Sequence, residues 1–153
     1  PTHLVTARHS LQGWAYLSLA QRWGLPVTGG SRAYDSTTVQ IGGATIERYI
    51  GSSVITYGYR MANAGGGLKG PSHAVRYSYF GEHGTSLTIG VAAGKETESL
   101  GARGIMVTQA QSGGMWGAFA LNPRVAVTYT LSALRQGDLY TRNTLSLGLR
   151  TRL

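Results

Sequence analysis

The sequence predicts an all-β fold, an antiparallel transmembrane β-barrel with about nine strands in this chain. Apolar and polar residues alternate in several segments, and short and long connections alternate between those segments. The composition agrees, because 23 glycines, nine tyrosines and only four prolines suit closely packed strands, while helical apolar spacing is not sustained anywhere. We therefore interpret residues 1–153 as a single outer-membrane β-barrel domain.

The alternation is clearest in the last ten residues. Leu145, Leu147 and Leu149 alternate there with serine, glycine and arginine. A period of two places the leucines on one face of a strand and the other residues on the opposite face. In a soluble protein the leucine face must be covered by a second layer, whereas in an outer membrane it faces lipid and the arginines face a wet lumen.

Nine segments have strand-like patterns. They are His3–Ser10, Trp14–Trp23, Thr37–Tyr49, Val54–Met61, Ser72–Phe80, Thr85–Ala93, Met106–Phe119, Arg124–Leu134 and Thr144–Leu153. The apolar alternate positions predict a lipid-facing set: Ile55, Tyr57, Tyr59, Val75, Tyr77, Leu87, Ile89, Val127, Tyr129, Leu145, Leu147 and Leu149. The cationic positions of the other face predict lumen-lining Arg22, Arg60, Arg76, Arg150 and Arg152.

The connections alternate in length. Short ones fall at 50–53, 81–84 and 121–123, and longer ones at 25–36, 62–71, 94–105 and 135–143. Tight periplasmic turns and longer outer loops are typical of outer-membrane barrels. Single-chain bacterial barrels use an even number of strands, so nine strands predict at least ten in the parent protein, with at least one strand before Pro1. A break of the seventh segment at Gly113 and Gly114 would change that parity.

The charge and the rare residue types exclude several classes of function. The formal charge is +8, with 14 lysines and arginines against six acids, but the arginines are scattered singly and do not predict a nucleic-acid partner. The absence of cysteine excludes disulfides and thiolate metal sites, and His3 and His9 lack metal-ligand spacing. We expect no metal and no cofactor.

An ordered series of segments carries a family resemblance. It consists of Glu47–Gly51, Ser72–Gly81, Gly90–Glu96 and Gln136–Arg142, the last followed by the leucine strand. Together they resemble the YaiO-type outer-membrane β-barrel family over most of the chain, although that family usually ends in an aromatic residue and this chain ends in Leu153. The resemblance implies the outer membrane of a Gram-negative bacterium. It also implies three partners: outer-membrane lipid, the barrel-assembly machinery, and a periplasmic or inner-membrane component of envelope polysaccharide export.

From these features we expect a channel, docking or assembly module and not an enzyme. The lumenal arginines would favour anions, or grip anionic polysaccharide or phosphate. A plainer interpretation pairs them with Glu47, Glu82 or other lumenal groups, so that they only brace a filled barrel. The aromatic residues near strand ends fit a headgroup-level girdle, and Trp116 and Tyr140 have no assignment.

Two alternatives belong to other classes. A soluble lipocalin-like binding module would turn the apolar face inward, and it predicts that Leu145, Leu147 and Leu149 are buried. A membrane-embedded lipid hydrolase predicts His73 or His83 beside a serine and an acid. His83 lies in a predicted tight turn and His73 lies at the opposite end of the preceding predicted strand, and no Gly-x-Ser-x-Gly elbow is present, so the hydrolase ranks last.

Overall fold

The computed structural model describes residues 8–34, 38–64, 68–99 and 105–151, with the side chains of all of these except 96–99 and 105–106. Apart from one 3-10 turn at Glu82–Gly84, the regular structure there consists of strands. The strands are β1 His9–Ala20, β2 Trp23–Ala33, β3 Thr38–Ile50, β4 Ser53–Asn63, β5 Lys69–Phe80, β6 Ser86–Ser99, β7 Ile105–Asn122, β8 Val125–Gln136 and β9 Tyr140–Thr151.

All nine strands form one antiparallel sheet in sequence order. Each strand pairs with the next along the chain, from Trp14 opposite Thr28 in the first ladder to Leu131 opposite Leu145 in the last. Such a meander needs only short connections, which agrees with the turns in the sequence. The predicted all-β antiparallel fold is thus confirmed.

The two outer strands of this sheet, β1 and β9, each have a single neighbour. Because nine successive strands alternate in direction, β1 and β9 run in the same direction, so direct closure would make a parallel seam between them. The sheet is open among the described residues, and closure into a barrel stays a prediction.

The first two predicted strands are wrong in their bounds. The predicted segment Trp14–Trp23 combines the end of β1 with the start of β2, and the turn lies at residues 21–22. Residues 25–36, expected to form a long link, are mostly β2. The reason is local: Pro26, Gly29 and Gly30 are typical of loops, but here they pair with β1. Of the predicted strand His3–Ser10, residues 3–7 lie outside the described residues.

The connections contrast less in length than the sequence predicts. One end of the sheet carries the turns at 21–22, 51–52, 81–85 and 123–124, and Gly51 has the positive φ of 55° that a tight turn requires. At the other end β4 extends to Asn63 and β6 to Ser99, because their ladders continue past the apolar segments. The long links are correspondingly shorter. The seventh strand is continuous through Gly113 and Gly114, so no break changes the strand count there.

The well-buried residues of the sheet are mainly small. Among the described residues the buried apolar side chains are Val39, Ala64, Ala110, Ala118 and Ala126. Many of the large apolar residues are exposed. In place of a conventional core, polar pairs sit between the strands. The hydroxyls of Ser78 and Thr88, each 9% exposed, are 3.0 Å apart across β5 and β6.

Candidate functional site

The register divides the sheet into two chemically different faces. Residues paired across antiparallel strands share a face, and neighbours along a strand alternate. One row runs across the sheet through Arg48, Ile55, Tyr77, Ile89, Met115, Leu131 and Leu145. The adjacent row on the opposite face runs through Glu47, Thr56, Arg76, Gly90, Gly114, Ser132 and Thr144. We call these the apolar face and the arginine face.

The sheet curls towards the arginine face. Arg150 of β9 donates from Nη2 to the carbonyl oxygen of Gly84, at 3.2 Å. Gly84 precedes β6, and three inter-strand steps of about 4.8 Å separate β6 from β9 in a flat sheet. An arginine side chain spans such a distance only if the sheet bends around it. The arginine face is therefore concave and the apolar face convex.

All twelve residues predicted to face lipid share the apolar face, because their ladder partners lie in the same rows. Their exposure is highest on the edge strand β9, where Leu145, Leu147 and Leu149 are 74%, 73% and 74% exposed. Val91 and Phe119, each 60% exposed, extend the same surface on β6 and β7. The structure thus brings the twelve together, and their contact with lipid stays a prediction.

Three of the five predicted lumenal arginines lie on the concave face. Arg60 and Arg76 project from neighbouring strands, and Arg150 projects from β9. The placement of Arg22 on a strand face is wrong, because this residue lies in the β1–β2 turn with a φ of 67°. Arg152 lies outside the described residues.

The prediction missed two further arginines of the concave face. Arg32 lies in β2, where it pairs with Ser10 of β1 and Val39 of β3. The sequence predicts a long link and not a strand for residues 25–36. Arg142 pairs with Leu134 and belongs to β9, four residues before Ser146. The alternation of the terminal leucines already identified its face, but the predicted strand began at Thr144, whereas β9 begins at Tyr140 and so includes Arg142.

The charges of the described side chains on the concave face are unbalanced. Arg32, Arg60, Arg76, Arg142 and Arg150 lie there, and Glu47 is the acid of that face among the described side chains. Glu47 accepts a hydrogen bond from the Tyr49 hydroxyl at 2.8 Å. Neither Arg60 nor Arg76 forms an ion pair with a described residue, so pairing with Glu47 or Glu82 is not observed. Arg76 instead lies 5.7 Å from the ring centroid of Trp116.

Residues with small side chains lie between Arg60 and Arg76 on the concave face. Gly58 and Ala74 form the row that separates them, and Ala92 continues that row on β6. A concavity of about 360 Å³ opens over this row and is lined by both arginines. Hydroxyls of threonine and serine residues also line it, at Thr28, Thr45, Ser72 and Ser112. The arrangement offers guanidinium and hydroxyl donors to an anion without a carboxylate beside them.

The two histidines of the hydrolase alternative lie at opposite ends of β5. His73 lies on the apolar face, where its Nδ1 is 2.7 Å from the Tyr57 hydroxyl and its ring centroid is 5.1 Å from that of Tyr59. His83 lies at the other end of β5, in the 3-10 turn. The described residues contain no group of three or more histidines and acids placed to hold a metal ion.

The aromatic residues divide between the two faces. Trp116 and Tyr140, which the sequence left unassigned, lie on the arginine face opposite Thr130 and Gln136. Trp14 also lies on that face, opposite Thr28, so it does not belong to a girdle on the convex surface. Tyr57, Tyr77 and Tyr79 lie on the convex face, which is the position that a girdle requires.

Comparison of the chain with protein-family models, with curated proteins and with solved structures finds no match. The described part of the chain has no helix that combines the length and the apolar character needed to cross a membrane.

Proposed function

We propose that this chain is the main part of an outer-membrane β-barrel channel whose lumen prefers anions. The observation that carries the proposal is the contrast between the two faces. Among the described side chains, the concave face holds five arginines and one glutamate, and the convex face holds all twelve apolar and tyrosine residues predicted to face lipid. In a curved sheet of this kind the apolar side chains outside can contact lipid, while the charged side chains inside contact water.

Closure completes the proposed barrel. With β1 and β9 parallel, an odd number of additional strands between them gives an entirely antiparallel seam. Pairing of both edges is required in a bilayer, because an unpaired backbone group costs several kcal/mol in hydrocarbon. The resemblance to YaiO-type barrels agrees with this proposal, and the docking and assembly roles that it implies stay predictions.

The anion preference follows from the unpaired arginines. A cation row in a confined lumen raises the local concentration of anions, and its effect is strongest where no carboxylate neutralises it. Arg60 and Arg76 meet this condition over the row of glycine and alanine. We expect small carboxylates and phosphates to pass in preference to cations of the same size.

The soluble binding module is less well supported. It predicts burial of Leu145, Leu147 and Leu149, and all three are about three-quarters exposed on the convex side. Turning these leucines inward would require the sheet to curl the other way, against the Arg150 to Gly84 hydrogen bond.

Ion selectivity tests the proposal. The full-length protein is reconstituted in planar bilayers, and the reversal potential is measured across a potassium chloride gradient. We expect the sign that marks chloride preference, and a smaller potential for the double variant Arg60→Gln/Arg76→Gln. Arg124→Gln is the matched control, because Arg124 lies in the exposed β7–β8 turn and not on the arginine face.

Three results would contradict the proposal. The first is a folded, inserted protein that conducts no ions. The second is a cation preference, and the third is a reversal potential that is the same for the double variant and for the control. Retention of the wild-type migration shift between unboiled and boiled gel samples verifies that each variant is folded.

A further inference from the structure

An arginine and a tryptophan are held together at one corner of the convex face. Trp23 and Arg48 face each other across β2 and β3, in the first pair of that ladder. The guanidinium carbon of Arg48 lies 4.6 Å from the centroid of the Trp23 ring. Both side chains are half-buried. A cation over an indole face is attracted to the ring, which holds Arg48 in place.

The surroundings of Arg48 make its charge unusual. Its neighbours on the convex face are Ile46, Ile50 and Ile55, which are 39%, 51% and 44% exposed. The other convex-face cations of the described strands, Lys69, Lys95 and Arg135, lie towards the opposite end of the sheet. A cation in an apolar surface needs a counter-charge or a route to the interface.

The described residues supply Arg48 with no carboxylate. Glu47 is adjacent in sequence but points to the concave face, where it accepts the hydrogen bond from Tyr49. The contact that the structure gives Arg48 is the one with the Trp23 ring. This contact provides no oxygen acceptor, and a guanidinium presents several N–H donors in a planar fork that matches phosphate oxygens.

A second guanidinium belongs to the same corner. Arg22 immediately precedes Trp23 in the β1–β2 turn, and its side chain is exposed. Its backbone has a φ of 67°, and its carbonyl oxygen accepts the Tyr49 N–H at 2.9 Å. The turn is therefore tied to β3 next to Arg48. The Arg22 backbone thus lies beside the strand that carries Arg48, at the end of the apolar face where the turns are.

We propose that Arg48, with Trp23 and Arg22, binds the phosphate of an anionic phospholipid in the leaflet on the side of the short turns. The inference rests on the proposed membrane insertion. Charge complementarity selects the occupant, because planar N–H groups match phosphate oxygens and the neighbouring isoleucines match acyl chains. Trp23 is the first residue of β2, at the end of the sheet, and an indole prefers the boundary between headgroups and hydrocarbon.

Lipid titration of the full-length protein tests this site. The protein is purified in mild detergent, phosphatidylglycerol is added, and native mass spectrometry gives the dissociation constant of the first bound lipid. We expect Arg48→Gln to weaken binding about fivefold, the contribution of one basic residue at an anionic membrane surface. Arg48→Lys keeps the charge but loses the planar donors, so we expect an intermediate value. Arg124→Gln, in another turn at the same end, is the matched control.

Equal affinities for the wild type and Arg48→Gln would overturn the site. Displacement of the lipid by millimolar inorganic phosphate would also overturn it, since the site would then recognise free phosphate and not a lipid. The migration shift on heating is measured on the same samples. A wild type without that shift refutes membrane insertion itself, so failure of the site and failure of the proposed function give different results.

Discussion

Replacement of Leu145 by arginine distinguishes a strand that faces lipid from one that faces water. Leu145 is near the middle of β9, which runs from Tyr140 to Thr151, and it is 74% exposed on the convex face. In water, a substitution at such an exposed position changes the free energy of unfolding by no more than about 0.5 kcal/mol. On the lipid face near the bilayer centre, an arginine costs about 2–4 kcal/mol.

Two matched variants use the geometry of the same strand. Ser146 is the next residue and lies on the concave face at nearly the same depth, so Ser146→Arg is expected to cost no more than about 0.5 kcal/mol. The second variant is Leu149→Arg. Leu149 lies on the convex face two residues from the strand end, near the membrane interface, so an arginine there is expected to cost about 0–1 kcal/mol. Leu145→Arg should therefore be the most destabilising of the three.

The assay is urea unfolding of the full-length protein in phospholipid vesicles, followed by tryptophan fluorescence. Free energies of unfolding are compared at equal lipid composition, with reversibility verified by refolding. If Leu145→Arg and Ser146→Arg differ by less than about 0.5 kcal/mol, the convex face does not contact hydrocarbon, and the reasoning is refuted.

Two further predictions concern packing within the sheet. Thr88→Ala removes the 3.0 Å partner of the buried Ser78 hydroxyl and is expected to cost about 1–3 kcal/mol in urea unfolding, whereas replacing both hydroxyls should cost less than the sum of the single changes. Strictly additive costs would contradict this pairing. Gly114→Ala places a carbon 2.7 Å from the Leu131 carbonyl oxygen and should lower the free energy of unfolding by about 1–3 kcal/mol. Gly13→Ala is the control, because an added carbon there has nothing within 4 Å, and it should not lower that free energy. Equal urea midpoints for the two variants would contradict the close approach at Gly114.

The later strands could be predicted from sequence because each has an apolar face of its own. In β4, β5 and β8 the alternation is regular, so the positions of Tyr57, Val75 and Val127 follow from a period of two. The predicted bounds are too short at the end away from the short turns. Residues there pair through backbone groups although their side chains are polar, as in the pairing of Asn63 with Lys69.

The first hairpin could not be predicted for a different reason. Glycine in β2 reflects packing and not a loop: a carbon added at Gly24 would lie 2.7 Å from the Tyr16 ring, which crosses over it from β1. The turn itself, at Gln21 and Arg22, contains no glycine, proline or asparagine. Local composition therefore hides both the strand and its turn, and only the pairing between strands identifies them.

The concave site was predicted in part. Alternation alone places Arg60, Arg76 and Arg150 on one face, but their lack of ion-pair partners depends on which strands are neighbours. The contact of Arg48 with Trp23 joins residues of two different strands and has no local sequence signal. Such contacts follow from register, which the sequence pattern constrains only within each strand.

Cysteine labelling along β9 tests the central claim most directly, namely that the apolar face contacts lipid and the arginine face contacts water. Residues 1–153 contain no cysteine, and single cysteines at positions 144 to 149 are introduced into a full-length protein from which any other cysteine has been removed. The full-length protein is labelled in its membrane with a water-soluble maleimide. We predict protection at Leu145, Leu147 and Leu149 and labelling at Thr144, Ser146 and Gly148. Equal labelling of both sets would contradict the account.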